Sequence, residues 1–410
     1  MEFRPILSAL MRSKVALVLI GLQIALTLAI VCNALFIMKQ RVDTMGRVSG
    51  MNESDTFMIS SLGFGPSFDV KNAVAEDMAT LRNLPGVKNA APILTVPMSG
   101  SGWSEGVSLT TTQKNSDVGV AMYFVDEQGI DTYGVKLVGG RNFTADEISM
   151  REPRSTVWPN IVIVTRQLGE RLWPGQSAVG KQFYFDREKP PVTVIGVIEQ
   201  MIMPWPGITS RSGDKNAVEF SLLIPQIAPF GLQTRYLVRA EPGRVNEMMK
   251  TVEAKLGETN KSRIVRDARS LTAIRAECYR DDRAMLIILI SVIVSLLSIT
   301  ALGIVGMASF WVTQRTKQIG TRRALGATRG NILRYFLTEN FLITSMGLAL
   351  GAVLTYGANL WMMQSYAAQM LPVGYLVGGM VALWILGLAA VFGPATRASR
   401  VPPAVATRSI

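Results

Sequence analysis

The sequence predicts a membrane protein of four transmembrane α-helices, with a large α+β extracytoplasmic domain inserted between the first helix and the second. Three observations carry this. The 410 residues are 49% hydrophobic, with a mean hydropathy of +0.27, too apolar for an ordinary soluble chain and too charged for one wholly inside lipid. Long uncharged runs lie near the start of the chain and in its last third, each able to cross a hydrocarbon core of roughly 30 Å. The net charge of +12 is unevenly placed: residues 39–283 hold 30 basic and 28 acidic side chains, the remainder 12 basic and 2 acidic. The excess therefore flanks the membrane segments, where it reports orientation. It is not the footprint of a nucleic-acid binder, and no nucleic-acid partner is expected.

In chain order, residues 1–14 read as a short cytoplasmic amphipathic lead with Arg4, Arg12 and Lys14. Residues 15–38 carry no charge and form the first span. The run is too long for a signal-peptide core and lacks a small-x-small cleavage site before Lys39, so it reads as uncleaved. Its polar Gln23 and Asn33 are expected to pack against a neighbouring helix, a ligand site being the alternative. A basic N-terminus stays inside, which puts residues 39–283 on the far side as a folded domain.

Within that domain DTFMISSL and the segment from Val87 read as strands, and VKNAVAEDMATLR as an amphipathic helix stopped by Pro85-Gly86. Near its end TRYLVRA reads as a strand, RVNEMMKTVEAKLGE as a helix and KSRIVRDARS as a strand. Two strand–helix–strand units imply helices on one face of a sheet. Residues of about 100–220 between them are richer in strand signals. From Asp267 a helical pattern runs on without Gly or Pro, so residues 267–283 are expected to form a stalk helix entering the second span, residues 284–312. That stretch is either a rod that carries motion or a passive tether. Residues 313–333 form a cytoplasmic loop, 334–362 the third span, 363–373 an outside turn and 374–394 the fourth span. The basic tail, 395–410, returns inside, so both termini are cytoplasmic. Gly347, Gly351, Ala352, Gly378, Gly379 and Gly387 suit close helix contact.

Chemistry is scarce. The chain has no His, which removes the commonest general base and zinc ligand. Cys32 and Cys278 form no CxxC and lie at depths differing by roughly 15–20 Å on straight helices, so two free thiols are expected. Asp281 and Asp282, between Arg280 and Arg283, read as a solvated membrane-edge cluster before a catalytic pair. No catalytic residue, metal or directly bound cofactor is expected. The apolar loop Met201–Gly207, with Met203, Pro204, Trp205 and Pro206, either packs its Trp onto the domain or offers a contact surface to a substrate or partner.

The loop after the second span carries Arg315, Lys317, Arg322, Arg323, Arg329 and Arg334 against one acid, Glu339. It reads as a short helix with breaks at Gly326 and Gly330, and Thr328 as the cap of the helix that follows. Anchoring of the spans is the plain role for such charges. The wording Arg315-Thr316-Lys317-Gln318-Ile319-Gly320-Thr321-Arg322-Arg323-Ala324-Leu325-Gly326-Ala327 resembles the cytoplasmic loop of the MacB/FtsX-type ABC transporter permeases, in which R-T-x-E-I-G-x-R-x-A-L-G-A is typical. Gln318 stands where the family has Glu. The resemblance extends to Gly139-Gly140-Arg141-Asn142-Phe143, Leu172-Trp173-Pro174 and Val194-Ile195-Gly196-Val197, and to the tail Pro394-Ala395-Thr396-Arg397-Ala398, although Thr407 precedes Arg408 where Leu is usual.

The resemblance implies a non-catalytic permease subunit of the bacterial inner membrane. Its loop, with Arg315, Gln318, Ile319, Gly320, Arg322, Arg323, Ala324, Leu325, Gly326 and Ala327, would dock on a separate ABC ATPase. Two copies of that ATPase would hold the ATP and Mg, since this sequence has no phosphate-binding loop. A second permease, of the same or a related chain, would complete a dimer that drives export. A periplasmic adaptor and outer-membrane channel remain open. The alternatives are a Lol-like extractor of lipoproteins or lipids and an FtsX-like regulator of a cell-wall enzyme; the latter has a much smaller external domain.

Overall fold

The computed structural model describes residues 14–111, 118–152, 155, 157–185, 190–207, 215–366 and 369–402. The expected lead over residues 1–13 and the tail beyond Pro402 lie outside them. The chain divides into two compact units, residues 1–46 with 281–410, and residues 47–280.

The chain enters through α1 (Lys14–Met45). The inserted unit then runs β1 (Thr56–Gly63), α2 (Val70–Arg82), β2 (Val87–Ile93), β3 (Trp103–Val107), β4 (Val118–Phe124), α3 (Gly129–Tyr133), β5 (Leu137–Gly140), β6 (Ser149–Met150), β7 (Ile161–Thr165), α4 (Arg166–Leu172), β8 (Gln182–Phe183), β9 (Val192–Ile198), β10 (Ser221–Ile224) and β11 (Gln226–Ile227). It closes with β12 (Gln233–Ala240), α5 (Val245–Thr259), β13 (Arg263–Ser270) and α6 (Leu271–Cys278). β13, β1, β12 and β2 form one antiparallel sheet in that order. A second, mixed sheet runs β3-β4-β10-β7-β9-β5, with β8 on β9.

The helix-backed sheet follows from periodicity. The Asp69 carboxylate caps α2 by accepting from the Lys71 and Asn72 amides, and the helix buries Ala73, Val74, Asp77, Met78 and Leu81. In α5 Val245, Met248, Val252 and Leu256 point the same way. Both stripes cover Phe57, Ile59, Tyr236 and Val238, as amphipathic helices on one sheet face must. Inside this core Asp77 pairs with Arg263 and accepts from Tyr236 Oη at 2.6 Å, while Arg263 Nε donates to the Leu256 carbonyl at 3.1 Å.

Arg82 at the end of α2 reaches Asp126, just past β4, at 2.5 Å. Burial pushes the Asp126 carboxyl up to about 6, against the pull of Arg82. A raised folded-state pKa contributes stability that is complete below the ordinary Asp range and is lost as pH climbs through 6. Glu147 acts in the opposite sense, held at about 2 by its hydrogen bond from Arg141, so a variant comparison isolates Asp126. The stability of wild type relative to Asp126→Asn should fall by on the order of 1–3 kcal/mol between pH 4 and pH 7, read from unfolding of the inserted unit. A difference independent of pH would refute this.

The expected stalk helix over 267–283 is corrected. Residues 263–270 are an edge strand, Ser270 caps α6 through its side chain, and helix geometry lapses at Tyr279 before α7 (Arg280–Gln314) begins. β1 holds residues 263–270 by backbone pairing, which outweighs their local helical spacing. The rest of the second unit is α8 (Thr316–Ala324), α9 (Arg329–Tyr366) and α10 (Val373–Ser399).

Among the described residues four helices, α1, α7, α9 and α10, are long and apolar enough to cross a membrane. A Cβ on Gly347 would meet the Gly21 carbonyl at 2.9 Å, one on Gly351 would meet Ala25 at 3.0 Å, and one on Gly379 would meet the Cys32 sulfur at 2.5 Å. Three of the small residues read from sequence thus let α1 lie close to α9 and α10; Gly378 faces open space. Asn33 donates to the Thr355 carbonyl at 3.2 Å and Gln23 lies against Gly303, so both polar residues of α1 pack on neighbouring helices. α7 touches α1 through the Thr27–Thr300 hydroxyl pair at 2.8 Å. It buries Thr300, Ile304, Ala308 and Trp311 and leaves Ile287, Ile288, Val294 and Leu302 exposed. Asp282 pairs with Arg41.

Candidate functional site

The connector between the second and third apolar helices is a built object. α8 ends in a turn in which the Ala327 amide bonds back to the Arg322 carbonyl at 3.0 Å and the Gly326 amide to the Arg323 carbonyl at 3.1 Å. That is the Schellman pattern, which places its C′ residue in the left-handed region. Gly326 fills the position with φ +98°. The next helix starts at once: the Thr328 hydroxyl accepts from the Asn331 amide at 3.2 Å, the N-cap bond that the sequence called for. Leu-Gly-Ala-Thr is therefore a complete stop-and-restart signal.

A Cβ at Gly326 would meet nothing within 4 Å, so Gly326→Ala changes only backbone strain. It should cost about 1–2 kcal/mol, read as a lowered melting temperature of the reconstituted chain. No loss would mean that the turn is not held in this form.

Three arginines fasten α8. Arg315 Nη1 donates to both carboxylate oxygens of Glu339, at 2.8 and 3.1 Å, and its guanidinium lies 5.8 Å from the Trp311 ring centroid. Arg322 sits 5.0 Å over the Tyr335 ring. Arg323 Nη1 donates to the carbonyls of Ser399 and Val401, at 3.0 and 2.9 Å, satisfying acceptors that the end of α10 leaves open. Ile319 and Gly320 are buried, Ile319 in a core with Ile332, Phe336, Ala395 and Ala398.

The ten residues marked in sequence therefore divide by role. Arg315, Ile319, Gly320 and Arg323 fix the helix, and Ala327 is half-buried in its closing turn. Gln318, Ala324, Leu325 and Gly326 are exposed, and Arg322, though exposed, holds the helix by lying over Tyr335. Leu325 is 83% exposed, an apolar side chain displayed on a helix that is otherwise anchored. Glu339, Tyr335 and the carbonyls of Ser399 and Val401 were not among the site residues read from sequence. Glu339 had a signal, as the single acid in a basic and apolar stretch; the carbonyls had none.

Of the two readings of the Met201–Gly207 loop, the packed one, not the contact surface, fits its burial. Met203, Pro204 and Pro206 are buried and Trp205 is half-buried. Tyr123 Oη donates to the Ile202 carbonyl at 2.6 Å, and the Gly100 amide donates to the Pro204 carbonyl at 2.8 Å. The loop's two prolines end its pairing but do not expose it, because the second sheet and its flanking loops supply the missing partners.

Residues 15–258 match the MacB-like periplasmic core domain and residues 288–403 the FtsX-like permease C-terminal. Among curated relatives, the chain is 25% identical over 423 residues to the macrolide export ATP-binding/permease protein MacB of Neisseria meningitidis serogroup A, covering 98% of this chain and 59% of that protein. It is 22% identical over 341 residues to the uncharacterized ABC transporter permease YknZ of Bacillus subtilis, covering 82% of this chain and 81% of that one. The MacB of Neisseria gonorrhoeae FA 1090 is covered over 52% of its length; the chain spans about half the length of the MacB relatives it matches. The crystal structure of the periplasmic region of MacB from Actinobacillus actinomycetemcomitans aligns with 56% of this chain and 95% of that one, at 18% identity and a TM-score of 0.34.

Proposed function

The chain belongs to the MacB-like, FtsX-like family of ABC transporter permeases, and from that premise we propose that it is the membrane subunit that turns ATP hydrolysis on a partner ATPase into movement of the inserted unit, driving export of a substrate. ATP and Mg act on the ATPase, two copies of which dock on two permeases. The observation that carries this reading is the pairing of opposites in α8: a helix fastened by Arg315, Arg322 and Arg323 that displays the bare side chain of Leu325. A fastened helix moves with the bundle when pushed, and an exposed leucine is a place to push. The apolar flank of α7 left uncovered in one chain is the surface for the second permease, same or related. We place the chain in the inner membrane, with both termini and α8 cytoplasmic and the inserted unit periplasmic, where an adaptor would meet it.

The test is side-specific thiol labelling in intact cells. Cys32 and Cys278 are replaced and single cysteines are introduced as Ser149→Cys and Thr321→Cys, both at exposed positions. A membrane-impermeant maleimide should label the first only, and the second only after permeabilisation. Labelling of both from outside would end the reading, because the lever and the moved body would share one compartment.

A further inference from the structure

The inserted unit holds a cavity of about 230 Å³ between the edge of the helix-backed sheet and β3. Its lining includes the apolar Ile93, Leu94 and Ala228, the aromatic Trp103 and Phe230, and the polar Gln233 and Arg235. The aromatic pair is pre-set. Phe230 and Gln233 exchange backbone hydrogen bonds of 2.8 and 3.1 Å across a two-residue turn with Gly231 at φ +64°, which holds Phe230 out, 78% exposed. Trp103 is held edge-on between Phe124 and Trp158, with centroids at 6.1 Å from each. Two aromatic rings beside an apolar hollow, with the Arg151 guanidinium 5.4 Å from the Trp103 centroid, form a preorganised small-molecule site.

The polar lining selects charge. Arg235 spends one of its five N–H donors on the Leu94 carbonyl, at 3.0 Å. Among the described residues no carboxylate forms an ion pair with it. Burial works most strongly against its positive charge; Asp267 favours the charge, and Arg269 opposes it by less. Pairing places Ser60 of β1 between Arg235 and Arg266 in one row of the sheet, which keeps the neighbourhood basic. A half-buried guanidinium with spare donors and no ion-paired acid among the described residues is a receptor for a planar anion.

We propose that this cavity binds a compact apolar acid, a hydrocarbon body ending in one carboxylate, with the body between Trp103 and Phe230 and the carboxylate on Arg235. Scaled from a 150 Å³ cavity that holds benzene, its volume accepts roughly nine non-hydrogen atoms. The occupant touches both sheets, so it would tie one to the other. The site lies within the inserted unit and does not depend on the coupling reading.

The experiment uses the full chain in lipid nanodiscs and a diazirine-bearing pentanoate, with crosslinked peptides mapped by mass spectrometry. The peptide holding Ile93 and Leu94 should be labelled, and pentanoate should suppress that label at a concentration at least tenfold lower than pentanol. Arg235→Gln should shrink the preference to less than threefold, and Arg235→Lys should retain most of it. Ala228→Trp, which fills the hollow, should remove the label. If pentanol competes as well as pentanoate in the wild type, or Ala228→Trp is labelled like the wild type, the proposal is wrong. Should Ala228→Trp fail to fold, the Gln and Lys variants at Arg235 decide between the outcomes.

Discussion

Leu325→Asp should abolish stimulation of the partner ATPase's turnover while the permease melts as the wild type does. The side chain lies almost wholly in solvent, so the change costs the free chain nothing in packing. In a docked complex it removes the burial of one leucine, about 1.5–3 kcal/mol, and adds a carboxylate that would have to be desolvated. Together these exceed two factors of ten in affinity, at 1.4 kcal/mol each. Ile319→Asp makes the informative contrast. Ile319 is a core residue beneath α8, and a carboxylate there should lower stability as well as coupling. Both variants sit in the same nine-residue helix or its cap, yet only the first separates docking from folding. Wild-type stimulation by Leu325→Asp would show that the ATPase seats elsewhere.

Asp77→Ala should destabilise the inserted unit by about 3–5 kcal/mol, because it leaves the Arg263 guanidinium buried without its counter-charge. The side chains of this pair are 0% and 1% exposed, and Tyr236 completes the network. Arg263→Ala should cost a similar amount. Replacing both by Leu and Met should cost far less than the sum, since an apolar pair needs no compensation. The measurement is unfolding of the inserted unit within the full chain. A loss below 1 kcal/mol for Asp77→Ala would mean that water reaches Arg263 in place of the acid.

The parts legible in sequence are those fixed by neighbours along the chain. The helix stripes of α2 and α5, the four apolar helices, and the turn at Leu325-Gly326-Ala327 with its Thr328 cap all follow from spacing within a few residues. Long-range pairing was not legible. Residues 263–270 show why. Asp267 adopts φ +59°, and the pairing of β1 with β13 shifts register there. The irregularity puts Val265 and Ala268, three apart, on the same core. A spacing of three reads as helical, and only the partner strand reveals the bulge. Arg323 meeting the end of α10, 76 and 78 positions away, is beyond local reading for the same reason.

Those last two hydrogen bonds have a mechanical meaning. Apolar side chains resist compression but slide past one another, whereas a guanidinium bound to two main-chain carbonyls also resists being pulled away. With Arg323 holding the end of α10 and Arg315 holding α9, a downward tug on the connector would load two helices at once. The connector can thus bear tension as well as thrust.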